Sequence, residues 1–153
     1  SAESPGVGFS SGSPWRAPYE DYTTRNVANQ TDDPGSLLSH YRALIELRNA
    51  HAALRTGEAV LVDTGSPRLY ALLRYDDSGA FLVLVNPYPK DLKADQYSLT
   101  LQAGPFKGAV QAESVLGLPD PQSPEINAAG GFSNYLPFEV LPAQSSVIIK
   151  LAP

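Results

Sequence analysis

The sequence contains no cysteine and no methionine, and only two of its 153 residues are histidine. Without cysteine the chain can form neither a disulfide framework nor a thiolate metal site, and it has no thiol nucleophile. The lack of cysteine suits the cytosol and an exported protein equally, so the compartment stays open. The lack of methionine leaves no initiator residue, and we expect the chain to be a processed product or a fragment of a longer protein.

Charge of one sign and long apolar runs are also scarce. The net charge of −5, from 11 basic and 16 acidic residues, argues against a phosphate-neutralising surface, so we expect no nucleic-acid partner. No run reaches the roughly 18–20 apolar residues of a membrane span, and no basic start precedes an apolar stretch. We therefore expect a soluble protein with no membrane partner.

The first 32 residues combine proline, glycine, serine and threonine without a helical or alternating period, so we predict a loop there. This aromatic loop, residues 1–32, nevertheless carries Phe9, Trp15, Tyr19 and Tyr22. A solvated linker has little reason to hold large aromatic side chains, so we expect them to pack on something.

A long amphipathic helix is predicted after the aromatic loop. Asp33 has the side chain of an N-cap, and Pro34 suits the first helical position. We predict a helix from about Pro34 to about Ala50, with Gly57 closing the segment. Apolar residues recur on one helical face at Leu37, Leu38, Tyr41, Leu44 and Ile45.

After Gly57, short β-rich runs alternate with turn residues at the spacing of an antiparallel sandwich. Asp76–Gly79 predicts a hairpin turn in which Gly79 is able to take a positive φ, and the wholly apolar Phe81–Val85 predicts a central strand. Residues 117–136 are expected to form a long loop. Seven strands are predicted, near Glu58–Asp63, Arg68–Tyr75, Ala80–Asn86, Gln96–Leu101, Gly108–Leu116, Phe138–Leu141 and Ser146–Leu151. The expected fold is mainly β, an antiparallel β-sandwich preceded by an aromatic loop and one long helix.

Three stretches in the first third of the chain carry recognisable motifs. Gly8–Ser10 reads Gly-Phe-Ser and is followed by Pro14-Trp15. Asn26–Gln30 reads Asn-Val-Ala-Asn-Gln and leads into Asp33–Arg48, which ends in Tyr-Arg-Ala-Leu-Ile-Glu-Leu-Arg. Ala53–Gly57 then runs into the strand-rich region. In order and spacing these stretches resemble the α-amylase superfamily of glycoside hydrolases, closest to its α-glucosidase, oligo-1,6-glucosidase and trehalose synthase branch.

The resemblance implies a parent enzyme that is a retaining α-glycosidase or α-transglucosidase. Such enzymes use an aspartate nucleophile, a glutamate acid/base and a second aspartate, carried by barrel strands that no position of this sequence matches. The resemblance further implies that residues 1–56 are the loop and final helix of a truncated (β/α)8 barrel and residues 57–153 a C-terminal antiparallel β-sandwich domain. We expect the chain alone to be inactive and to need no cofactor.

The same resemblance places Phe9 and Trp15 in the loop after the seventh barrel strand, on the side of the active site. Either these side chains border the sugar-binding cleft of the parent enzyme, or they pack the loop against the barrel. Asp32 and Asp33 are interpreted as part of a helix start rather than as a catalytic pair. His40 and His51 are eleven residues apart, about 16 Å along a helix axis, and cannot share a metal. We therefore predict no metal site.

Three functional hypotheses remain, and the third of them is a free-standing interaction domain unrelated to sugars. In the first, the chain is the non-catalytic C-terminal part of a hydrolase of α-glucans or maltooligosaccharides, its partner is the missing N-terminal catalytic barrel, and its exposed barrel-facing surface supports self-association. In the second, it is an independent carbohydrate-binding β-sandwich module with an α-glucan as partner. A tyrosine platform for that module would draw on Tyr70, Tyr75, Tyr88, Tyr97 and Tyr135.

Overall fold

The computed structural model describes residues 5–153, so the first four residues of the aromatic loop lie outside the described ones. The chain divides into two compact units, a first that ends at Ala50 and a second from His51 to Pro153. The described residues form three α-helices, Val27–Thr31 (α1), Leu37–Ala50 (α2) and Ala52–Thr56 (α3). The strands are Glu58–Leu61 (β1), Tyr70–Asp76 (β2), Gly79–Asn86 (β3), Leu92–Lys93 (β4), Leu99–Ala103 (β5), Gln111–Leu116 (β6), Gly130–Tyr135 (β7), Val140–Leu141 (β8) and Ser145–Ala152 (β9).

In the first unit, α1 lies where we expected only loop. Asn26 stands before the helix in extended conformation, and its side-chain Oδ1 accepts a hydrogen bond from the amide of Asn29 at 3.0 Å. This contact satisfies one of the amides that a helix start leaves free. The prediction of an uninterrupted loop was therefore wrong for Val27–Thr31.

The long helix α2 ends at Ala50 as predicted but begins at Leu37, three residues later than expected. The side chain of Ser36, not that of Asp33, accepts the amide three residues further on, at 3.2 Å from Ser39 N. Asp33 Oδ1 instead accepts from the amide of Gly35 at 2.9 Å, which holds a turn ahead of the helix. The predicted role of Asp33 as the N-cap was therefore wrong.

The second unit contains a five-stranded sheet in the order β1-β2-β3-β9-β6 and two two-stranded sheets, β4-β8 and β5-β7. Every neighbouring pair is antiparallel. The most deeply buried side chains come from all three sheets, among them Leu73, Leu82, Leu92, Leu99, Phe132, Leu141 and Ile149. The sheets thus share one hydrophobic core, and the expected mainly β fold with an antiparallel sandwich is confirmed.

Each of the seven predicted strands overlaps an observed one, and β3 is the central strand. The predicted hairpin joins β2 and β3 with Asp76 opposite Gly79. Gly79 does not use its freedom to adopt a positive φ. The turn is held instead by Asp76 Oδ1, which accepts from the amide and the hydroxyl of Ser78 at 2.8 and 2.6 Å.

Two strands escaped prediction. β4 has only two residues, and β7 lies inside residues 117–136, which we expected to be a loop. The strand begins with two glycines, and a Cβ on Gly131 would collide with the carbonyl oxygen of Leu101 on β5. Because glycine lacks that Cβ, the two backbones can approach closely enough to pair.

A buried asparagine fastens the loops at one end of the second unit. Asn86 is 2% exposed, and its Nδ2 lies 3.0 Å from the carbonyl oxygen of Lys90, 3.2 Å from that of Leu141 and 2.9 Å from that of Pro142. Its Oδ1 accepts from the amide of Tyr88 at 3.2 Å. One side chain therefore forms hydrogen bonds with backbone groups of two separate segments. Such groups would lower the stability of the fold if they were buried without a partner.

Candidate functional site

The aromatic loop surrounds a cleft of about 620 Å3 in the first unit. Residues between Gly6 and Gln30 line it, and its larger side chains are Phe9, Arg16, Tyr19, Tyr22 and Arg25. Aromatic faces combined with guanidinium and amide donors are chemistry that suits a polyhydroxylated ligand.

The two residues that we expected to contact sugar occupy different places. Phe9 lines the cleft and is 95% exposed, whereas Trp15 is fully exposed and is not among the residues that line the cleft. Neither side chain packs against the described part of the chain.

Two asparagines of the Asn-Val-Ala-Asn-Gln motif hold the loop in place. Asn26 Nδ2 donates to the carbonyl oxygens of Tyr22 at 3.1 Å and Thr23 at 3.2 Å. Asn29 Nδ2 donates to the carbonyl oxygens of Thr23 and Thr24, both at 3.2 Å. The side chains of the N-cap and of α1 thus satisfy the carbonyl groups of the turn that precedes the helix and keep the cleft wall next to it.

The last residue of that motif ties α1 to α2. Gln30 Oε1 accepts from the amide of Leu38 at 3.0 Å, and the hydroxyl of Ser36 donates to the carbonyl oxygen of Gln30 at 2.8 Å. Sequence reasoning did not assign these positioning roles. The usable signal was the placement of Asn26 and Ser36 directly before apolar runs, which is typical of N-caps.

The charged groups of the cleft are few and largely solvated. Arg16 lies over the ring of Tyr19, with Cζ 5.8 Å from the centroid, and Arg25 Nη1 lies 3.4 Å from Asp21 Oδ2 with both side chains exposed. An exposed ion pair of this kind contributes little stability. Asp21 is the one carboxylate among the described lining residues, whereas retaining glycoside cleavage needs two.

Two other candidates from the sequence, His51 and Asp33, make contacts that stabilise the structure. His51 packs against Phe81 with ring centroids 4.6 Å apart, and Asp33 is held in its turn. Within residues 5–153 no group of three histidine, cysteine or acidic side chains is placed to hold a metal ion. The described helices are also too short or too polar to cross a membrane.

The proposed tyrosine platform is wrong for two of its members. Tyr97 and Tyr135 are core residues, and their hydroxyls donate to the carbonyl oxygens of Phe138 and Gln122, each at 2.6 Å. Burial raises the pKa of both hydroxyls above the ordinary value of tyrosine. These two side chains cannot stack on a sugar at the surface.

A second cleft, of about 580 Å3, lies at the hairpin end of the second unit. Two of the acidic side chains that line it, Glu58 and Asp76, accept hydrogen bonds from neighbouring residues. The hydroxyl of Tyr75 donates to Glu58 Oε2 at 2.9 Å, and that hydrogen bond raises the pKa of Tyr75. The hydrogen bonds from Ser78 lower the pKa of Asp76. The arrangement stabilises the hairpin turn.

The family model for the α-amylase catalytic domain matches residues 1–57 of this chain. The oligo-1,6-glucosidase of Halalkalibacterium halodurans is 36% identical over 53% of this chain and 14% of its own length. The glucan 1,6-alpha-glucosidase of Streptococcus pneumoniae is 31% identical over 65% of this chain and 18% of its own length. The match thus spans less than a fifth of these curated relatives.

Among solved structures, nearly the whole chain resembles one part of the trehalulose synthase of Pseudomonas mesoacidophila MX-45. The two share 33% sequence identity at a TM-score of 0.68, and the likeness covers 97% of this chain and 24% of the synthase. The likeness therefore extends through the β-rich second unit, well beyond the end of the catalytic-domain match at residue 57.

Proposed function

Because the chain belongs to the α-amylase superfamily of glycoside hydrolases, we propose that it is the non-catalytic C-terminal part of an enzyme that processes α-glucosidic bonds. The observation that supports the proposal is that the end of the family match and the start of the antiparallel domain fall at the same place in the sequence. The catalytic-domain match ends at residue 57, and β1 of the antiparallel domain begins at Glu58. Residues 1–56 are then the last loop and helix of a (β/α)8 barrel, and residues 57–153 the β-sandwich behind it.

In this proposal the chemistry belongs to barrel strands outside the chain. Catalytic groups of such barrels lie at the C-terminal ends of several different strands, whereas the described lining of the cleft in the aromatic loop holds one carboxylate, that of Asp21. The chain contributes structural support of the barrel and one wall of the substrate region. Substrates are α-glucans or maltooligosaccharides.

Phe9 and Trp15 would contribute the aromatic surface of that wall. Phe9 is supported as a sugar contact by its place at the cleft and by its exposed ring. Trp15 is exposed but does not line the cleft, which makes it the better candidate for contact with the barrel or with a more distant sugar unit. Replacing each by alanine separates the two roles, because loss of a sugar contact changes KM whereas loss of a barrel contact lowers the melting temperature.

Reconstitution tests the proposal as a whole. The trehalulose synthase is truncated by the segment that this chain matches and is then mixed or co-expressed with the chain. We expect a stable complex and the return of activity on sucrose, the substrate named for that enzyme, while the chain alone stays inactive. The absence of both complex and activity would contradict the proposal. Retardation of the chain alone in a glucan-containing gel, together with that failure, would favour the independent carbohydrate-binding module instead.

A further inference from the structure

The edge of the five-stranded sheet at β6 is covered by side chains. β6 pairs with β9 on one side and ends the strand order. An edge strand presents backbone donors and acceptors that another chain can use for pairing. On β6 the amide of Ala112 instead donates to Ser123 Oγ at 3.0 Å, and that of Ser114 donates to Asp120 Oδ1 at 3.1 Å. The two amides alternate along the outer side of the strand, so these side-chain oxygens lie where a neighbouring strand would place its carbonyl oxygens.

Both acceptors belong to the edge segment, residues 117–124, which directly follows β6. Gly117 begins the segment with a φ of 102°, a conformation that favours glycine. Asp120 contacts Ser114, whereas Ser123, further along the segment, contacts a residue nearer the start of β6. The contacts thus move backwards along β6 as the segment advances, so the segment lies alongside β6 in the antiparallel sense.

The edge segment offers few donors to a further strand. Pro119, Pro121 and Pro124 have no backbone N–H, and for that reason proline is tolerated at sheet edges. The amide of Gln122 is used elsewhere, because it donates to the carbonyl oxygen of Pro137 at 3.1 Å. The segment therefore ends the hydrogen-bonded ladder instead of presenting a new edge.

Backbone atoms of Gln122 also hold the edge segment in place. In addition to the hydrogen bond with Pro137, the carbonyl oxygen of Gln122 accepts from the hydroxyl of Tyr135 at 2.6 Å. Tyr135 is a buried residue of β7, and Pro124 of the segment is buried as well. None of these contacts involves the two side chains that cover β6, so those side chains can be replaced without releasing the segment.

We propose that the edge segment keeps β6 from pairing with the β6 strand of a second copy of the chain. Without the two side-chain acceptors, the amides of Ala112 and Ser114 are free to donate to backbone carbonyl oxygens of another strand. Two identical edges can pair about a two-fold axis, so that each strand extends the sheet of the other copy. This role goes beyond the proposed function, since it concerns residues of the second unit alone.

Replacing both acceptors tests the proposal. The double variant Asp120→Ala/Ser123→Ala removes the two side chains that accept hydrogen bonds from β6. Gln122→Ala/Glu125→Ala is the matched control, because it also removes one carboxylate and one neutral polar side chain from exposed positions in this part of the chain. The control keeps both acceptors and the backbone contacts of Gln122. Each pair of substitutions is made in the whole 153-residue chain, and association is measured by sedimentation equilibrium.

The double variant should dimerise with a dissociation constant at least about tenfold lower than that of the native chain, whereas the control should match the native chain. Association through other surfaces is common to all three proteins and does not affect the comparison. Hydrogen exchange followed by NMR locates the contact, because an amide exchanges when its hydrogen bond opens. At low concentration the amides of Ala112 and Ser114 should exchange at least about tenfold faster in the double variant than in the native chain. Their protection should return as the dimer forms.

An unchanged dissociation constant, with fast exchange of both amides at every concentration, would overturn the proposal, because the edge would then be open without pairing. New protection on β1, at the opposite edge of the sheet, instead of on β6 would also overturn it. A double variant that loses its folded state would show that the two acceptors serve stability, and this result too would count against the proposal.

Single variants separate the two contacts from a general loss of stability. Asp120→Ala should speed exchange at the amide of Ser114 and leave that of Ala112 protected, and Ser123→Ala should do the reverse, because each side chain accepts from one amide. Equal acceleration at both amides in each single variant would contradict the covering role of the two side chains.

Discussion

Replacing Asn86 tests the contacts that fasten two loops to the second unit. Asn86→Leu removes donors to the carbonyl oxygens of Lys90, Leu141 and Pro142 and the acceptor for the amide of Tyr88. An intramolecular hydrogen bond contributes about 1 kcal/mol net, and buried groups left unpaired cost more, so we expect a loss of about 3 kcal/mol. Urea unfolding followed by far-UV circular dichroism measures it.

Asn86→Asp separates the hydrogen bonds from the shape of the side chain. A carboxylate of nearly the same size would face three carbonyl oxygens, which disfavour its negative charge. The pKa of the introduced carboxyl should therefore rise above its ordinary value of about 3.9. A raised folded pKa means that the stability present below the unfolded pKa is lost as pH rises. The variant should therefore be less destabilised at pH 4 than at pH 7.

The exposed Asn134 offers a matched control, because it adopts φ 52, a conformation that asparagine and aspartate both tolerate. Asn134→Asp should change the free energy of unfolding by less than about 0.5 kcal/mol. A similarly small effect of Asn86→Asp at pH 7, or an effect that does not depend on pH, would refute the reasoning.

Two further predictions concern the sandwich. The buried hydroxyls of Tyr97 and Tyr135 have raised pKa values, so the stability they contribute is complete below the unfolded pKa of about 10 and is lost as pH rises beyond it. When both tyrosines are replaced by phenylalanine, the loss of stability with rising alkaline pH should become shallower. An unchanged pH profile of stability would contradict this. Gly131→Ala should prevent normal pairing of β5 and β7 because its Cβ meets the carbonyl oxygen of Leu101, whereas Gly108→Ala, with no atom within 4 Å of its Cβ, should be tolerated; equal melting temperatures of the two variants would refute the packing argument.

Local patterns predicted the elements that depend on local rules. The end of α2 at Ala50 followed from the helical period, and the β2–β3 hairpin followed from turn residues between apolar runs. The start of α2 did not follow, because Asp33 and Ser36 are both good N-cap residues. Hydrogen bonds made by Gln30, at Leu38 N and Ser36 Oγ, come from outside the helix and accompany the later start.

The elements that were missed depend on contacts distant in sequence or are too short to show a period. α1 has five residues, fewer than two helical turns. β7 pairs with β5 only because its glycines admit a close backbone approach, and glycines read locally as loop. In the site, the resemblance left Phe9 either at the sugar-binding cleft or packed against the barrel, and the bracing of the loop by Asn26 and Asn29 required the structure.

The DNA sequence directly upstream of the codon for Ser1 tests the central claim most directly. We predict an open reading frame that continues upstream in phase and encodes a (β/α)8 barrel with an aspartate nucleophile and a glutamate acid/base. An in-phase stop codon followed by a separate start for this chain, or an upstream domain unrelated to such barrels, would contradict the account.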